Sequence, residues 1–410
     1  MTARHRPRWS ELQPMLRLRP PSLSATDRRL AKAASIPDLR LVARRRAPRA
    51  VFDYTDGAAA EEIALRRSRA SYASVEFQPR VLQDVSGVDT STTILGRPAA
   101  LPLVFAPTGF TRMMHTDGEP AVARVAARTG IPYALSTMGT TSIERLAASA
   151  PEGRRWFQLY LWRDRQASLD FVVRAQQAGY EALVLTVDTP VAGPRLRDVR
   201  NGLTIPPSLS LRTVTEGALH PAWWFDLLTT EPLEFASLNR FDGTVAELVA
   251  KMFDPAATID DLAWLRSVWP GPLVVKGIQT AADARAMVDA GADAVIVSNH
   301  GGRQLDRAPT PLEVLPSIVD AVDGRAEVYV DGGILSGSDI VAAVALGARA
   351  ALVGRAYLYG LMAGGERGVQ RAADILSEEV VATMALLGVT RTADLATEHV
   401  RLRGPSDKFR

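Results

Sequence analysis

The chain has 410 residues, of which 47% are hydrophobic and 23% are charged, and its net charge is +3. This composition is typical of a globular protein with a large core. The sequence contains no cysteine, which excludes disulfide bonds, thiolate metal sites and cysteine nucleophiles, and its five scattered histidines do not predict a metal centre.

The N-terminal segment is strongly basic. Residues 1–50 hold thirteen lysines and arginines against three acidic residues, so they carry +10 and the rest of the chain carries −7. We predict a basic arm over residues 1–35, which could contact an anionic membrane surface, a neighbouring subunit or its own domain. Nucleic acid is not an expected partner, because no helix-turn-helix or aromatic–basic pattern accompanies the charge.

The location of the protein is predicted from what the sequence lacks. No segment approaches the ~18 uninterrupted apolar residues of a membrane-spanning helix. The basic arm has no apolar core of the kind that secretory signals contain. We therefore expect a cytoplasmic protein, with peripheral contact to the inner face of the cell membrane left open.

Strands and helices alternate along most of the chain. Residues 36–72 have a helical pattern interrupted at Pro48, and they precede short apolar runs separated by helical segments. Eight strands are predicted, at residues 101–106, 132–136, 156–160, 182–187, 273–276, 294–298, 327–331 and 350–353. Eight such units within residues 101–355 predict an α/β fold, a closed (β/α)8 TIM barrel with an N-terminal helical extension.

Two features refine this prediction. A doubly wound open sheet is disfavoured, because Ala106-Pro107-Thr108-Gly109 follows the first strand in place of a glycine-rich dinucleotide fingerprint. A long insertion follows strand four, and its residues 200–257 include Trp223-Trp224-Phe225. Loops of this length are usually functional or disordered. The aromatic run is expected to contact a membrane interface or an electron acceptor, or else to pack over the barrel mouth.

Polar residues follow nearly every predicted strand. Because the active sites of such barrels lie at the carboxyl ends of the strands, these residues are expected to converge. In chain order they are Thr108 and Gly109, Ser136 and Met138, Gln158 and Tyr160, Thr186, Asp188 and Arg195, Lys276, Ser298, His300 and Arg303.

The last two strands are followed by glycine turns. Asp331-Gly332-Gly333 and Gly354-Arg355 would let backbone N–H groups approach an anion, with Arg355 as a fixed cation. The loops after strands seven and eight often bind phosphate in barrels of this kind. We predict a phosphate site there, and two ordinary turns are the alternative.

The segment after strand six reads Ser298-Asn299-His300-Gly301-Gly302-Arg303-Gln304-Leu305-Asp306. It places an imidazole base beside a guanidinium that can bind a carboxylate through two hydrogen bonds. Oxidation of a 2-hydroxy acid requires such a pair.

This string also resembles the active-site signature of the FMN-dependent 2-hydroxy-acid dehydrogenase family, which includes glycolate oxidase, L-lactate oxidase, L-lactate dehydrogenase and mandelate dehydrogenase. The resemblance extends from about Ile36 to Arg401. It also covers Phe52-Asp53-Tyr54, Ala106-Pro107-Thr108, Phe157-Gln158-Leu159-Tyr160, Leu185-Thr186-Val187-Asp188-Thr189-Pro190 and Val275-Lys276-Gly277. Among members, the chain is most similar to actinobacterial L-lactate dehydrogenases of the quinone-linked type. The resemblance implies one FMN-binding domain over residues 36–410.

The resemblance implies roles for the converging residues. His300 would accept a proton from the substrate, and Asp188 would stabilise the resulting imidazolium. The substrate would be held by Tyr54, Tyr160, Arg195 and Arg303. Lys276 would stabilise negative charge on the reduced flavin. Cofactor binding is further implied for Pro107, Thr108, Gly109, Ser136, Gln158, Thr186, Ser298, Asp331, Gly332, Gly333, Gly354 and Arg355.

Several positions depart from the pattern of the family, and three of them lie at or beside the expected site. Leu335 stands where many members carry an arginine after the Asp-Gly-Gly turn, so one cation near the phosphate is expected to be missing. Met138 replaces the tryptophan of glycolate oxidase, and Gly109 replaces a frequent alanine. The last two changes would alter the room beside the substrate side chain.

The function expected from this resemblance is oxidation of L-lactate to pyruvate, with electrons passed from reduced FMN to a quinone or another carrier. The alternatives are an oxidase that produces hydrogen peroxide, a bulkier substrate such as mandelate, and a non-redox FMN barrel isomerase. The resemblance also suggests a homo-oligomer, a tetramer or higher.

Overall fold

The computed structural model describes residues 6–13, 24–202, 219–233, 236 and 253–403. At its centre, eight parallel strands of the described chain form a closed barrel. These strands are β4 (Leu103–Phe105), β5 (Tyr133–Ser136), β6 (Arg155–Leu159), β7 (Ala182–Thr186), β8 (Leu273–Ile278), β9 (Ala294–Val297), β10 (Glu327–Val330) and β11 (Ala350–Val353). The predicted (β/α)8 TIM barrel is confirmed, with each strand within two residues of its expected bounds.

The barrel closes between its last and first strands, where Val353 of β11 pairs with Phe105 of β4. Its interior is filled by alternate residues of the strands. Val104 points into this inner core, while its neighbours Leu103 and Phe105 belong to the core between the strands and the outer helices. Both faces of each strand are therefore buried, which explains the continuous apolar runs in the sequence.

A short antiparallel hairpin lies at the amino end of the barrel. It consists of β2 (Thr92–Ile94) and β3 (Arg97–Ala99). Ile94 is completely buried within the inner core, and the N–H of Leu95 donates to the carboxylate of Glu327 at the start of β10 (3.1 Å). The hairpin therefore closes the end of the barrel opposite to the expected active site.

The N-terminal extension consists of short helices. They are α1 (Trp9–Leu12), α2 (Ala25–Leu30), α3 (Ile36–Arg46), α4 (Arg49–Asp56) and α5 (Ile63–Ala73). The predicted interruption at Pro48 is confirmed, since this residue precedes α4. A second break, at residues 57–62, was not expected. Ala60 and Glu62 adopt left-handed backbone angles there, so α5 turns away from α4.

The remaining helices surround the barrel. They are α6 (Thr111–Met114), α7 (Gly118–Thr129), α8 (Ile143–Ser149), α9 (Arg165–Gln177), α10 (Leu196–Asn201), α11 (Pro221–Thr229), α12 (Ile259–Val268), α13 (Ala281–Asp289), α14 (Pro311–Val322), α15 (Gly337–Ala345) and α16 (Arg355–Leu387, kinked at Gly364 and Gly365). Outside the barrel, β1 (Val75–Phe77) pairs with β12 (Val400–Leu402). No helix in these ranges is long and apolar enough to cross a membrane.

Parts of two predicted segments lie outside the described residues. The basic arm is described at residues 6–13 and from residue 24 onward, where α2 packs against α16 through Leu30 and an ion pair joins Asp27 to Arg367 (2.9 Å). The insertion is described through α10, α11 and α12, whereas its residues 203–218, 234–235 and 237–252 lie outside. The domain boundary near residue 35 stays a prediction.

Candidate active site

A cavity of about 830 Å³ opens at the carboxyl end of the barrel. Most of the residues predicted for the site line it: Tyr54, Pro107, Thr108, Gly109, Ser136, Tyr160, Arg195, Lys276, His300, Arg303, Asp331, Gly332, Gly333, Gly354 and Arg355. The remaining four, Gln158, Thr186, Asp188 and Ser298, lie behind this lining, and each contributes a side chain that is at most 5% exposed. The convergence expected from the strand ends is therefore present.

His300 and Asp188 form a hydrogen-bonded pair. Asp188 follows β7 by two residues and His300 follows β9 by three. The loops after these two strands meet above β8 and bring Nδ1 of His300 to 2.9 Å from Oδ1 of Asp188. The backbone N–H of His300 donates to Oγ of Ser298 (3.0 Å). Gln304 joins the two loops, because its Nε2 donates to the carbonyl of Asp188 (3.0 Å). The sequence indicated no role for Gln304, which lies within the signature string.

The charge of Asp188 decides the tautomer of His300. Burial is the largest influence on the pKa of Asp188 and acts to raise it, but the neighbouring His300 and Lys276 outweigh burial and hold the pKa below its ordinary value. An ionised carboxylate can only accept hydrogen bonds, so Nδ1 of His300 must carry the proton. The other ring nitrogen, Nε2, then has a lone pair and can act as a base.

The glycines after His300 allow α5 and Arg355 to approach closely. A Cβ at Gly302 would lie 2.8 Å from the backbone nitrogen of Leu65, and one at Gly301 would lie 2.7 Å from Nη1 of Arg355. Both glycines also have positive φ angles. Side chains at these positions would push α5 and the guanidinium away from the site.

Lys276 is a buried cation. Its ammonium nitrogen lies 2.8 Å from Oγ of Ser298 and 3.0 Å from Oδ2 of Asp331. Burial is again the largest influence and acts to lower the pKa of Lys276, but the carboxylates of Asp331 and Asp188 outweigh it and raise the pKa. The site therefore keeps a positive charge at the end of β8.

Two guanidinium groups face the ring of Tyr54. The Cζ atoms of Arg195 and Arg303 each lie 5.0 Å from the centre of this ring. Burial and the like charge of Arg195 lower the pKa of Arg303 to about 10. The positive charges of Arg195 and Arg303 repel one another, so an anion bound between the two guanidinium groups would be stabilised.

The second break in the N-terminal extension leaves the carboxyl end of α4 over the barrel mouth. There Nη1 of Arg303 donates to the carbonyl of Tyr54 (2.6 Å). Arg355 donates to the carbonyls of Thr55 (3.0 Å) and Gly57 (2.8 Å). A helix end with free carbonyl groups thus orients two of the arginines predicted for the site.

Tyr160 faces the site from the end of β6. Its ring meets the ring of Phe253 edge-on at 5.2 Å. Burial, together with the charge of Asp188, raises the pKa of Tyr160 well above its ordinary value. Tyr160 therefore keeps its hydroxyl proton and can donate a hydrogen bond. Phe253 belongs to the insertion, and no local pattern in the sequence pointed to it.

Buried polar groups lie unsatisfied beneath the cavity. Ser136 donates to Oε1 of Gln158 (2.9 Å), but Nε2 of Gln158 and Oγ1 of Thr186 have no hydrogen-bond partner among the described residues. The same is true of Oδ1 of Asp331. Leaving such groups unpaired costs roughly 1–3 kcal/mol each, which indicates that a polar ligand contacts them.

The predicted phosphate turns lie at one end of the cavity. Gly332 and Gly333 have φ angles of +87° and +93°, and a Cβ at Gly333 would lie 2.8 Å from the carbonyl oxygen of Ser68. Gly354 precedes α16, whose first residue is Arg355. These turns offer backbone N–H groups and a helix N-terminus to an anion.

Arg69 also lines this end of the cavity. The sequence indicated no role for it, because it lies on α5, far from the barrel strands in the chain. Only its contacts in the folded chain bring it to the glycine turns.

A family model described as FMN-dependent dehydrogenase matches residues 43–402. The chain belongs to this family. It is 56% identical over 394 residues to a candidate L-lactate dehydrogenase of Mycobacterium tuberculosis, covering 96% of this chain and 95% of the relative. It is 43% identical over 354 residues to an L-lactate oxidase of Nostoc, covering 86% and 93% of the two chains.

Among solved structures, the FMN-dependent dehydrogenase resembles (S)-mandelate dehydrogenase, which is described as a monotopic membrane protein. The TM-score is 0.87 at 38% identity, and the match covers 91% of this chain and 100% of the other. Membership of the family confirms the predicted FMN-dependent oxidoreductase class.

The residues of this FMN-dependent dehydrogenase fit FMN. A flavin ring carries hydrogen-bond donors and acceptors that could satisfy Gln158 Nε2 and Thr186 Oγ1, the unpaired groups beneath the cavity. A phosphate group would suit the turns at Gly333 and Gly354, which line the cavity and offer backbone N–H groups and the N-terminus of α16 to an anion. The roles of the individual residues toward FMN stay predictions.

Proposed function

We propose that the protein oxidises L-lactate to pyruvate. The observation that carries this proposal is the His300–Asp188 pair, which lies in the same cavity as the guanidinium groups of Arg195 and Arg303. A base and a carboxylate site together suit a small 2-hydroxy acid. The relatives named L-lactate dehydrogenase and L-lactate oxidase support lactate as the substrate.

Substrate binding relies on the two arginines. Arg303 and Arg195 hold the carboxylate, because a guanidinium can donate two hydrogen bonds to its oxygens. Tyr54 contributes its hydroxyl to the carboxylate, and the protonated Tyr160 donates to the substrate hydroxyl. These contacts orient the substrate carbon that carries the hydroxyl.

His300 then accepts the hydroxyl proton at Nε2, while Asp188 stabilises the imidazolium from the opposite side of the ring. Bound FMN would supply the acceptor for the two electrons and the hydrogen that leave the substrate carbon. Lys276 keeps a positive charge beside it, where negative charge develops on reduction. Gln158, Thr186 and the turn residues hold the cofactor in place.

The substrate side chain faces a region lined by Gly109, Met138 and Phe253. A Cβ at Gly109 would lie 2.8 Å from Cβ of Met138, so these two residues already touch closely. The relatives named L-lactate dehydrogenase and L-lactate oxidase favour a small substrate, whereas the similarity to (S)-mandelate dehydrogenase favours a bulkier one.

Steady-state assays with both acids separate these options. We expect kcat/KM for L-lactate to exceed that for (S)-mandelate by at least about tenfold, which corresponds to about 1.4 kcal/mol in transition-state binding. A higher value for mandelate would overturn lactate as the substrate. If neither acid bleaches the flavin under anaerobic conditions, a non-redox FMN barrel becomes the better explanation.

We further propose a quinone or another carrier as the electron acceptor, since a relative named as a lactate dehydrogenase shares more than half of its residues with this chain. An oxidase is the alternative, because the Nostoc relative is named L-lactate oxidase. Oxygen uptake measured beside the reduction of a quinone analogue separates the two. We expect faster turnover with the quinone analogue, and equal turnover on oxygen alone would contradict the proposal.

We propose peripheral membrane contact through α11. Phe225 and Leu228 on this helix are 68% and 73% exposed, whereas Nε1 of Trp223 points inward and donates to the carbonyl of Met113 (3.1 Å). The helix therefore has one packed and one exposed apolar side, as helices at membrane interfaces do. The net charge of +10 in residues 1–50 would add attraction to anionic lipids.

Flotation with vesicles that contain anionic lipid tests this contact. We expect the full chain to float, and F225S/L228S to float less while keeping its lactate activity with a water-soluble dye. Equal flotation of both proteins would exclude α11 as the site of membrane contact.

A homo-oligomer also stays a proposal, which light scattering can test.

A further inference from the structure

Arg355 is the cation that the sequence predicts for the phosphate end of the cavity. A phosphate monoester carries about −1.5 to −2 charges at neutral pH. Arg355 lies there, but its Nε and Nη2 already donate to the carbonyls of Thr55 and Gly57. Leu335, on the loop after β10, contributes only an apolar side chain to the cavity lining.

Arg69 approaches the same loop from α5. Its Nη1 donates to the carbonyl of Gly333 and to Oδ2 of Asp339 (2.7 Å). The backbone of α5 is also close to the loop, because a Cβ at Gly333 would lie 2.8 Å from the carbonyl oxygen of Ser68. Arg69 is thus held against the glycine turn, and it is one of the residues that line the cavity.

The guanidinium of Arg69 retains capacity for a ligand. Both of its hydrogen bonds use Nη1, and neither Nε nor Nη2 has a hydrogen-bond partner in the described part of the chain. The guanidinium also lies 6.0 Å from the centre of the Tyr72 ring, a contact that leaves these two nitrogens free to donate. The carboxylate of Asp339 also accepts from the N–H groups of Leu335 (2.8 Å) and Ser336 (3.1 Å) at the start of α15. Its negative charge is therefore shared between Arg69 and a helix N-terminus.

We propose that Arg69 supplies a second cation to the FMN phosphate and compensates for the apolar side chain of Leu335. The proposal rests on FMN binding by this chain. Two nitrogens of the guanidinium can donate to phosphate oxygens, while Nη1 keeps the guanidinium fixed to the glycine turn. An arginine contributed by the N-terminal extension would then couple the docking of α5 to cofactor binding.

Titrations of the flavin-free full-length chain with FMN and with riboflavin test this proposal, because the two ligands differ only in the phosphate group. We expect R69Q to weaken FMN binding by at least about tenfold and to leave riboflavin binding unchanged. R67Q is the matched control, since Arg67 lies on the same helix outside the cavity lining and pairs with Glu313. It should bind both flavins as the wild type does.

Restoring a cation on the loop provides a second measurement. We expect R69Q/L335R to recover most of the lost FMN affinity, and the ³¹P NMR signal of bound FMN to move in R69Q but not in R67Q. If R69Q weakens FMN and riboflavin equally, Arg69 only supports the loop through Asp339 and the proposal is wrong. Unchanged FMN binding in R69Q would also overturn it. If the wild type binds neither flavin, it is the proposed function that fails.

Discussion

Individual residues in this site act through the charge of their neighbours. Burial acts to raise the pKa of Asp188, but its contacts with His300 and Lys276 outweigh burial and hold the pKa below its ordinary value. The carboxylate in turn determines which nitrogen of His300 is protonated, and it leaves Nε2 as the base. A change at any of these three residues should therefore alter the chemistry more than the packing.

Replacing His300 by alanine removes the proposed base. We expect kcat/KM for L-lactate to fall about a thousandfold, or about 4 kcal/mol, which lies within the usual contribution of a general base. The visible spectrum of bound flavin should be unchanged, which would show that the variant folds and binds FMN. A loss smaller than tenfold would contradict the role of His300 as the base.

Replacing Asp188 by asparagine removes the negative charge but keeps an acceptor for Nδ1. We expect kcat to fall by 10²-fold or more, in the usual range for acid–base catalysis, because the imidazolium loses its stabilising partner. KM should change much less. An unchanged kcat in D188N would contradict this role of Asp188.

The lowered pKa of Asp188 also predicts an effect of pH on stability. A depressed carboxyl pKa stabilises the folded state above the ordinary Asp pKa of about 4, and this stabilisation is lost as pH falls through the lowered value. The difference in unfolding free energy between wild type and D188N should therefore shrink below about pH 4. Chemical denaturation at pH 7 and pH 3 measures it.

At the scale of elements, α4 is the part of the N-terminal extension that completes the site. Its carboxyl end carries Tyr54 and presents the carbonyls that orient Arg303 and Arg355. Asp56 fixes this end in place, because it accepts from Tyr359 (2.8 Å), Arg40 (2.8 Å) and Arg197 (3.1 Å). The position of α4 is therefore set by contacts with α3, α10 and α16.

Replacing Asp56 by asparagine should loosen α4. We expect the free energy of unfolding to fall by about 1–3 kcal/mol, because buried hydrogen bonds to a charged group are weakened while the partly exposed arginines are screened by water. KM for lactate should rise more than kcat falls, since α4 orients the substrate-binding arginine. D289N, on the exposed ion pair with Arg325, is a control that should have smaller effects. An unchanged KM in D56N would contradict this account of α4.

In the whole molecule, the residues that close and stabilise the barrel lie at one end, and the residues proposed for catalysis lie at the other. The hairpin of β2 and β3 closes the amino end, and the cavity lies at the carboxyl end. The two ends differ because the strands of the barrel are parallel, so that all of their carboxyl ends lie on one side.

Replacing Ile94 by alanine tests this separation. Ile94 is fully buried in the inner core, so we expect a loss of about 2–4 kcal/mol in the free energy of unfolding. Below the unfolding temperature, kcat/KM should stay within twofold of the wild type. L386A is the control, because Leu386 is 78% exposed and its truncation should cost little. A large fall in activity of folded I94A would show that the two ends are coupled.

The sequence by itself determined the barrel, the FMN class and most residues around the cavity. Strands buried on both faces are continuous apolar runs, and barrel topology brings the residues after them together without further information. Local patterns were therefore sufficient for His300, Lys276 and the glycine turns. The assigned role of each residue stays a prediction that the variants above test.

Only the tertiary structure brought Arg69 and Phe253, two residues from outside the barrel strands, to the site. The second break at residues 57–62, the hydrogen bond from Arg303 to Tyr54 across 249 positions and the approach of Arg69 to Gly333 across 264 all depend on long-range packing. The pKa shifts of Asp188 and Lys276 arise in the same way, from burial and from charges on other loops. Such contacts leave no local pattern in the sequence, because each one forms only after distant parts of the chain have packed together.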